Sequence, residues 1–284
     1  MNQERLIRER EFHDHVFADD TRKCTDKYYS VAQIEYELYR GILDAKVPGS
    51  RFLEYGCGPY GYVYDAARQT SQAAGIDISE VAIRMAHEKA SRNDLSIDFR
   101  VMDAENMDFA DESFDVICGN SILHHLDLNR SFSELARVMA PQGMGVFIEP
   151  MGHNPVINRY RTLTPNLRTS DEHPLLMKDL AKLKQFFQVV QVRHFHVLTL
   201  LAVPFRNRPL FRFLRAVLHA IDQSVFWLVP WLKRYSWMTL IEFSGPRPDR
   251  PQYAVRNSPV QNSACASELQ EINEASGVWV LPER

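Results

Sequence analysis

Between residues 51 and 150 short apolar runs alternate with amphipathic stretches, and that alternation restricts the fold of this 284-residue chain more than any other feature. "RFLEYG" reads as a strand, "GYVYDAARQT" as a helix and "AAGIDI" as a second strand; Ser79 then caps the helix "EVAIRMAHEKASRN". "IDFRVM" and "FDVICGN" are the third and fourth strands, "RSFSELARVMA" is a helix ended by Pro141, and "QGMGVFIEP" is a glycine-led turn into a fifth. Strands separated by helices predict a parallel sheet covered on both faces. Upstream, Val31, Ile34, Leu38 and Ile42 recur at helical spacing. Downstream, residues 151–173 are polar and read as a functional loop. "LLMKDLAKLKQFF" is a helix, "QVVQVRHFHVL" a sixth strand, 207–232 an apolar helical insert and "WMTLIEFSG" a seventh strand. From 246 the chain becomes rich in Pro, Ser and Asn, as a flexible tail does.

Charge and cysteine usage narrow the function classes. A net charge of −3 gives no basic excess for a nucleic-acid surface. Cys24, Cys57, Cys118 and Cys265 form no C-x-x-C pair, which fits reduced thiols. "MNQERLIRER" lacks a signal's apolar core, and no run reaches the ~18 apolar residues of a membrane span. A cytoplasmic protein is expected, with a membrane-facing surface left open.

"LEYGCGPYG", Leu53 to Gly61, contains a literal G-x-G-x-x-G, which by itself suits a dinucleotide at a helix N-terminus. Glu54, at the end of the first strand, argues otherwise: a carboxylate repels a pyrophosphate and suits a cation such as a sulfonium with an ammonium. Asp77 ends the second strand, placed for ribose hydroxyls, and Asp103 follows the third, placed for an adenine amino group. Three acids after three successive strands are far more specific than the glycines.

With "GIDIS", "VMDAENMDF", "ESFDVICGNSILHHL" and "ELARVMAPQGMGVFIEP" added, residues 51–150 resemble the class I S-adenosylmethionine-dependent methyltransferases, quinone-pathway enzymes among them. The resemblance implies a Rossmann-like α/β fold: a seven-stranded sheet, last strand antiparallel, helices on both faces, an N-terminal helical lid and a helical insert before the last strand. It divides the chain into a lid (1–50), a methyltransferase domain (51–245, insert about 205–235) and the tail (246–284). It assigns S-adenosylmethionine to Glu54, Gly56, Gly58, Asp77, Ile78, Asp103, Ala104 and Asn120. One departure stands out: Tyr60 occupies the family's third glycine, and Gly61 comes one residue late.

Methyl transfer needs positioning, and a base only where the acceptor keeps its proton. His125, in "NSILHHL" at the sheet's carboxyl rim, matches a histidine of the quinone-pathway relatives and is the first candidate; Glu149 and His153, ending and following strand five, are the others. His124, Asn154, Arg161, Arg168 and His173, with Glu172, are acceptor-site or loop-ordering candidates, and "IEPMGHNPVINRY" with "LRTSDEHPL" resembles a subgroup of bacterial methyltransferases. Tyr28 and Tyr29 lie in the expected lid. No metal is expected, since no spacing among these histidines and glutamates is diagnostic.

In the insert Arg212, Arg215, His219 and Asp222 share one helical face amid Phe213, Leu214, Val217, Ile221, Phe226 and Trp227. Packing on the sheet, a homodimer, a lid for a greasy acceptor and a membrane contact all suit it. The expected function is methyl transfer from S-adenosylmethionine to a small apolar, lipid-like or natural-product acceptor, at oxygen or carbon. The alternatives are an NAD-dependent oxidoreductase and a non-catalytic S-adenosylmethionine-binding protein.

Overall fold

The computed structural model describes residues 2–19, 28, 30–165, 168–169 and 171–253. Among them seven strands form one sheet in the order β3-β2-β1-β4-β5-β7-β6. The strands are β1 (Phe52–Tyr55), β2 (Ala73–Asp77), β3 (Asp98–Val101), β4 (Phe114–Asn120), β5 (Met139–Pro150), β6 (Phe187–Phe195) and β7 (Met238–Pro246). β1 to β5 pair in parallel, and β7 runs antiparallel to both its neighbours. This is the Rossmann-like methyltransferase sheet.

Central strands must be apolar on both sides, and β1 is buried along its whole length. Successive residues serve opposite faces: Phe52 joins the core layer holding Tyr39, Leu43 and Val146, while Leu53 joins the layer holding Phe132, Leu135 and Phe147. The helices are α1 (Asn2–Asp19), α2 (Gln33–Lys46), α3 (Val63–Ala66), α4 (Glu80–Arg92), α5 (Leu128–Val138), α6 (Pro155–Leu163), α7 (Met177–Lys182) and α8 (Phe211–Leu228). Ser79 Oγ accepts the Ala82 N–H at 3.0 Å, capping α4 as its position in the sequence requires.

Three expectations change. β5 begins at Met139, ahead of the glycine turn, with a register shift opposite Phe114 and Val116. Residues 151–173 are not one long loop: Asn154 caps α6, and Pro155 fills a first-turn position that needs no N–H. β7 continues to Pro246, after which Arg247 N–H reaches Phe186 O and the Tyr253 ring packs near Phe186. The tail beyond residue 253 lies outside the described residues.

The strand order reverses between β1 and β4, so their carboxyl ends part there and leave a crevice. The insert, Thr199–Tyr235, leaves the carboxyl end of β6 and returns to the start of antiparallel β7, placing it at the same edge.

Candidate active site

The turn after β1 is built around Glu54. Its carboxylate is buried and accepts the Tyr62 and Val63 N–H groups at 2.9 and 2.7 Å, at the first turn of α3. Gly61 now has a reason. A Cβ there would lie 2.1 Å from Glu54 Oε2, so the late glycine makes room for the carboxylate that holds the turn. Gly56, at φ +73°, adopts a left-handed conformation, and a Cβ on it would meet the Ile122 side chain at 2.8 Å. Burial pushes the Glu54 carboxyl up to about 7 despite its two backbone donors.

Asp77 joins the same turn: Oδ2 accepts Gly58 N–H and Oδ1 accepts Ser79 N–H, both at 2.9 Å. Asp103 is buried behind β3, with Oδ1 accepting Glu105 N–H at 2.8 Å. All eight expected cofactor residues, Glu54, Gly56, Gly58, Asp77, Ile78, Asp103, Ala104 and Asn120, line one pocket at the switch point, and His125 lines it too.

His125 is set by its neighbours. Glu149 is fully buried; Oε1 accepts the Ile122 and Leu123 N–H groups, both at 2.8 Å, and Oε2 lies 2.8 Å from His124 Nδ1. Glu149 thus fixes the turn that presents His125 and does not itself line the pocket. Burial raises its carboxyl to about 7. His124 is buried, its ring centroid 4.2 Å from that of His125. Burial, with His124 alongside, lowers the His125 imidazole to about 4, so it is neutral near pH 7. Ser121, between Asn120 and this turn, lines the pocket at φ +59°, a backbone conformation a non-glycine residue holds only when its surroundings impose it.

The pocket's far wall is α1, within the 1–50 segment expected as a helical lid. Leu6, Glu9, His13 and Phe17 recur at spacings of three, four and four, on one face, and all line the pocket with Arg5. Arg5 Nη1 donates to His125 O at 2.6 Å, and its guanidinium pairs with buried Glu105. Glu9 Oε2 lies 3.1 Å from His125 Nδ1 and 3.6 Å from His13 Nε2; Oε1 accepts the Thr169 hydroxyl. Glu9, His13 and His125 offer donor atoms within 4.8 Å of one another, a set that could hold a metal ion and that sequence spacing does not reveal. The helical spacing of Leu6, Glu9, His13 and Phe17 was the signal available for α1.

The remaining candidates lie elsewhere. Asn154 is buried, its Oδ1 accepting Val156 and Ile157 N–H at 3.1 Å and its amide donating to Tyr235 O at 2.8 Å, so it caps α6 and tethers it. Arg168 donates to Arg161 O, Thr164 O and Thr164 Oγ1 and faces Glu172, pinning the segment after α6. His173 is exposed with Nδ1 3.2 Å from Asp171 O. Tyr28 packs its ring on Tyr160 at 4.7 Å and near Trp237 at 6.2 Å. Neither these four, nor Arg161, nor His153 lines the pocket; Tyr29 lies outside the described residues.

The family described as "Methyltransferase domain" matches residues 53–147, the span from β1 through β5 that builds the pocket floor. The chain carries a methyltransferase domain. That domain is similar to the ubiquinone biosynthesis O-methyltransferases of Bartonella tribocorum, 32% identical over 95 residues (33% of this chain, 38% of that one), and Hahella chejuensis, 32% over 113 residues (39% and 47%). The chain thus spans less than half the length of these curated relatives. By structure, the methyltransferase domain and its helices resemble phosphoethanolamine N-methyltransferase 2 of Haemonchus contortus, solved with phosphomonomethylethanolamine and S-adenosylhomocysteine (TM-score 0.56, 17% identity, covering 83% of this chain and 60% of that one). They also resemble geranyl diphosphate C-methyltransferase of Streptomyces coelicolor (TM-score 0.51, 14% identity, 76% and 77%). At these identities the likeness is one of fold.

Proposed function

We propose that this chain transfers a methyl group from S-adenosylmethionine to a small, apolar or amphipathic acceptor. The observation that carries the reading is the pocket at the switch point, lined by Glu54, Asp77 and Asp103 with the Gly56–Gly58 turn, and by Glu9 opposite. Four acids around one pocket, with Arg5 already paired to Glu105, favour a cationic ligand over a pyrophosphate. Asp77 receives the ribose hydroxyls, Asp103 the adenine amino group, and Asn120 with Ser121 the methionine end. Glu54 acts through the turn whose N–H groups it anchors.

His125 is the residue best placed for the acceptor. A neutral imidazole held by Glu9, Arg5 and the Glu149 turn would take up the proton of an acceptor hydroxyl, while S-adenosylmethionine would supply the methyl group and leave as S-adenosylhomocysteine. The relatives' printed activity supports oxygen as the acceptor atom. α1, lying across the pocket, excludes water from the sulfonium.

Calorimetric titration with S-adenosylhomocysteine, with NADH in parallel, tests the reading. Micromolar binding of the first and none of the second is expected. Binding of NADH alone would overturn it and restore the literal reading of "GCGPYG". Turnover with a panel of apolar phenols separates an enzyme from a non-catalytic binding protein.

A further inference from the structure

The insert carries more apolar surface than its packing on the sheet uses. On α8 Phe226 is buried and Phe211, Leu214 and Leu218 pack against the core, with three polar residues among them. Asp222 is fully buried, its carboxylate accepting the N–H groups of Val197, Leu198 and Thr199 and the Thr199 hydroxyl. His219 stacks on Phe195 with centroids 5.9 Å apart, and Arg215 donates to Gln33 Oε1 at 2.7 Å. A second apolar stripe turns outward: Leu210, Phe213, Val217, Ile221 and Leu228 recur at helical spacing and are all exposed. Trp227 and Trp231 are 79% and 63% exposed, and Leu201 and Phe205, in the same insert, are exposed too.

An exposed apolar stripe of this length marks a surface that is covered when the protein works. Its charge names the cover. Between Thr199 and Tyr235 the sequence carries Arg206, Arg208, Arg212, Arg215, Lys233 and Arg234, while Asp222, the segment's one acid, is buried and spent on backbone donors. The whole chain has net charge −3, so this basic concentration runs against the molecule's overall sign. Basic residues around an apolar stripe with exposed tryptophans in the same insert are the composition of a helix lying in the headgroup layer of an anionic bilayer. Among the described residues no helix is long and apolar enough to cross a membrane, so the helix lies on the bilayer.

We infer that the Thr199–Tyr235 insert docks this protein on an anionic lipid surface, and that the pocket opening at the same edge of the sheet draws its apolar acceptor from that surface. The docking stands on the insert alone; only the delivery of an acceptor rests on the methyltransferase reading.

The test is co-sedimentation of the full chain with phosphatidylglycerol-containing vesicles and with pure phosphatidylcholine vesicles, at low and at 0.5 M salt. Binding to the anionic vesicles that weakens in salt is expected. Arg208→Gln/Arg212→Gln/Arg234→Gln should lower the partition coefficient about a hundredfold, at roughly fivefold per basic residue lost. Phe213→Ser/Trp227→Ser/Trp231→Ser should abolish it. These side chains are exposed, and unchanged S-adenosylhomocysteine affinity in each variant verifies an intact fold. Wild-type protein that ignores anionic vesicles, or variants that bind as it does, would overturn the inference. So would a micromolar dimer that the apolar substitutions dissociate, because a second copy would then cover the stripe. Vesicle binding without S-adenosylhomocysteine binding would leave docking intact and sink the methyltransferase reading instead.

Discussion

Gly61 and Glu54 show how a single residue type is dictated by a partner seven residues away in sequence that lies under 3 Å from where a Cβ would stand. A Cβ at residue 61 would press on a carboxylate that cannot retreat, since both its oxygens hold backbone N–H groups. Gly61→Ala is expected to cost about 1–3 kcal/mol, the usual range for overpacking a filled site, and to weaken S-adenosylhomocysteine binding at least about tenfold. Urea unfolding and calorimetry on one preparation check both; an unchanged affinity would mean the turn tolerates the shift. His194 sets a pH dependence. Burial, with Lys233 adding to it, lowers its imidazole to about 4, while the unfolded chain titrates near the ordinary ~6.5. Between those values the unfolded state binds a proton that the folded state refuses, so this residue's contribution to stability falls on acidification from about 6.5 to about 4 and is constant above. The Ser236 hydroxyl donates to Lys233 O, so the Nδ1 proton of His194 points to Ser236 Oγ. His194→Gln should show a flatter acid limb than wild type in urea midpoints measured at pH 5 and 7. A parallel fall in both would sink the assignment.

Among the elements, α6 and α1 divide structural from functional roles. Asn154→Ala removes an N-cap and the tether to Tyr235, which should cost about 1–2 kcal/mol and leave S-adenosylhomocysteine affinity within about twofold. A large loss of affinity at unchanged stability would instead return Asn154 to the site. α1 is tied down by Arg5, Glu9 and His13 around the pocket, with Asp14 accepting the Ser79 hydroxyl and Arg8 paired to Asp171. Ligand beneath it should therefore slow hydrogen exchange at its amides. We expect S-adenosylhomocysteine to protect residues 4–17 far more than the solvent-facing amides of α4; equal protection, or none in α1, would show that α1 is not the cover.

Across the whole molecule the sheet is legible in the chain and the site only half so. The alternation from residue 51 onward announced β1 to β5 with their helices, and the antiparallel β7 came with the resemblance. Asp77, Asp103 and Asn120 could be read because they end consecutive parallel strands, where topology guarantees convergence. Glu149 ends a strand too, yet turns back to hold the Ile122–Leu123 backbone, a choice set by a turn 27 residues away. Asn154-Pro155 carried a helix-start signature that the surrounding polar residues obscured.

What the sequence determined by itself is whatever repeats with a local period: strand against helix, caps, glycines at left-handed turns, acids at strand ends. Only the tertiary structure decided which side of an amphipathic helix faces in. α8 buries Asp222 because three backbone N–H groups at Val197–Thr199 need an acceptor there, and satisfying them turns Phe213, Val217 and Ile221 outward. It also decided that α1, more than 100 residues from His125 in the chain, supplies Glu9 and Arg5 to it. A one-dimensional pattern shows that a helix has two faces; the burial of specific hydrogen-bonding groups determines what each face meets.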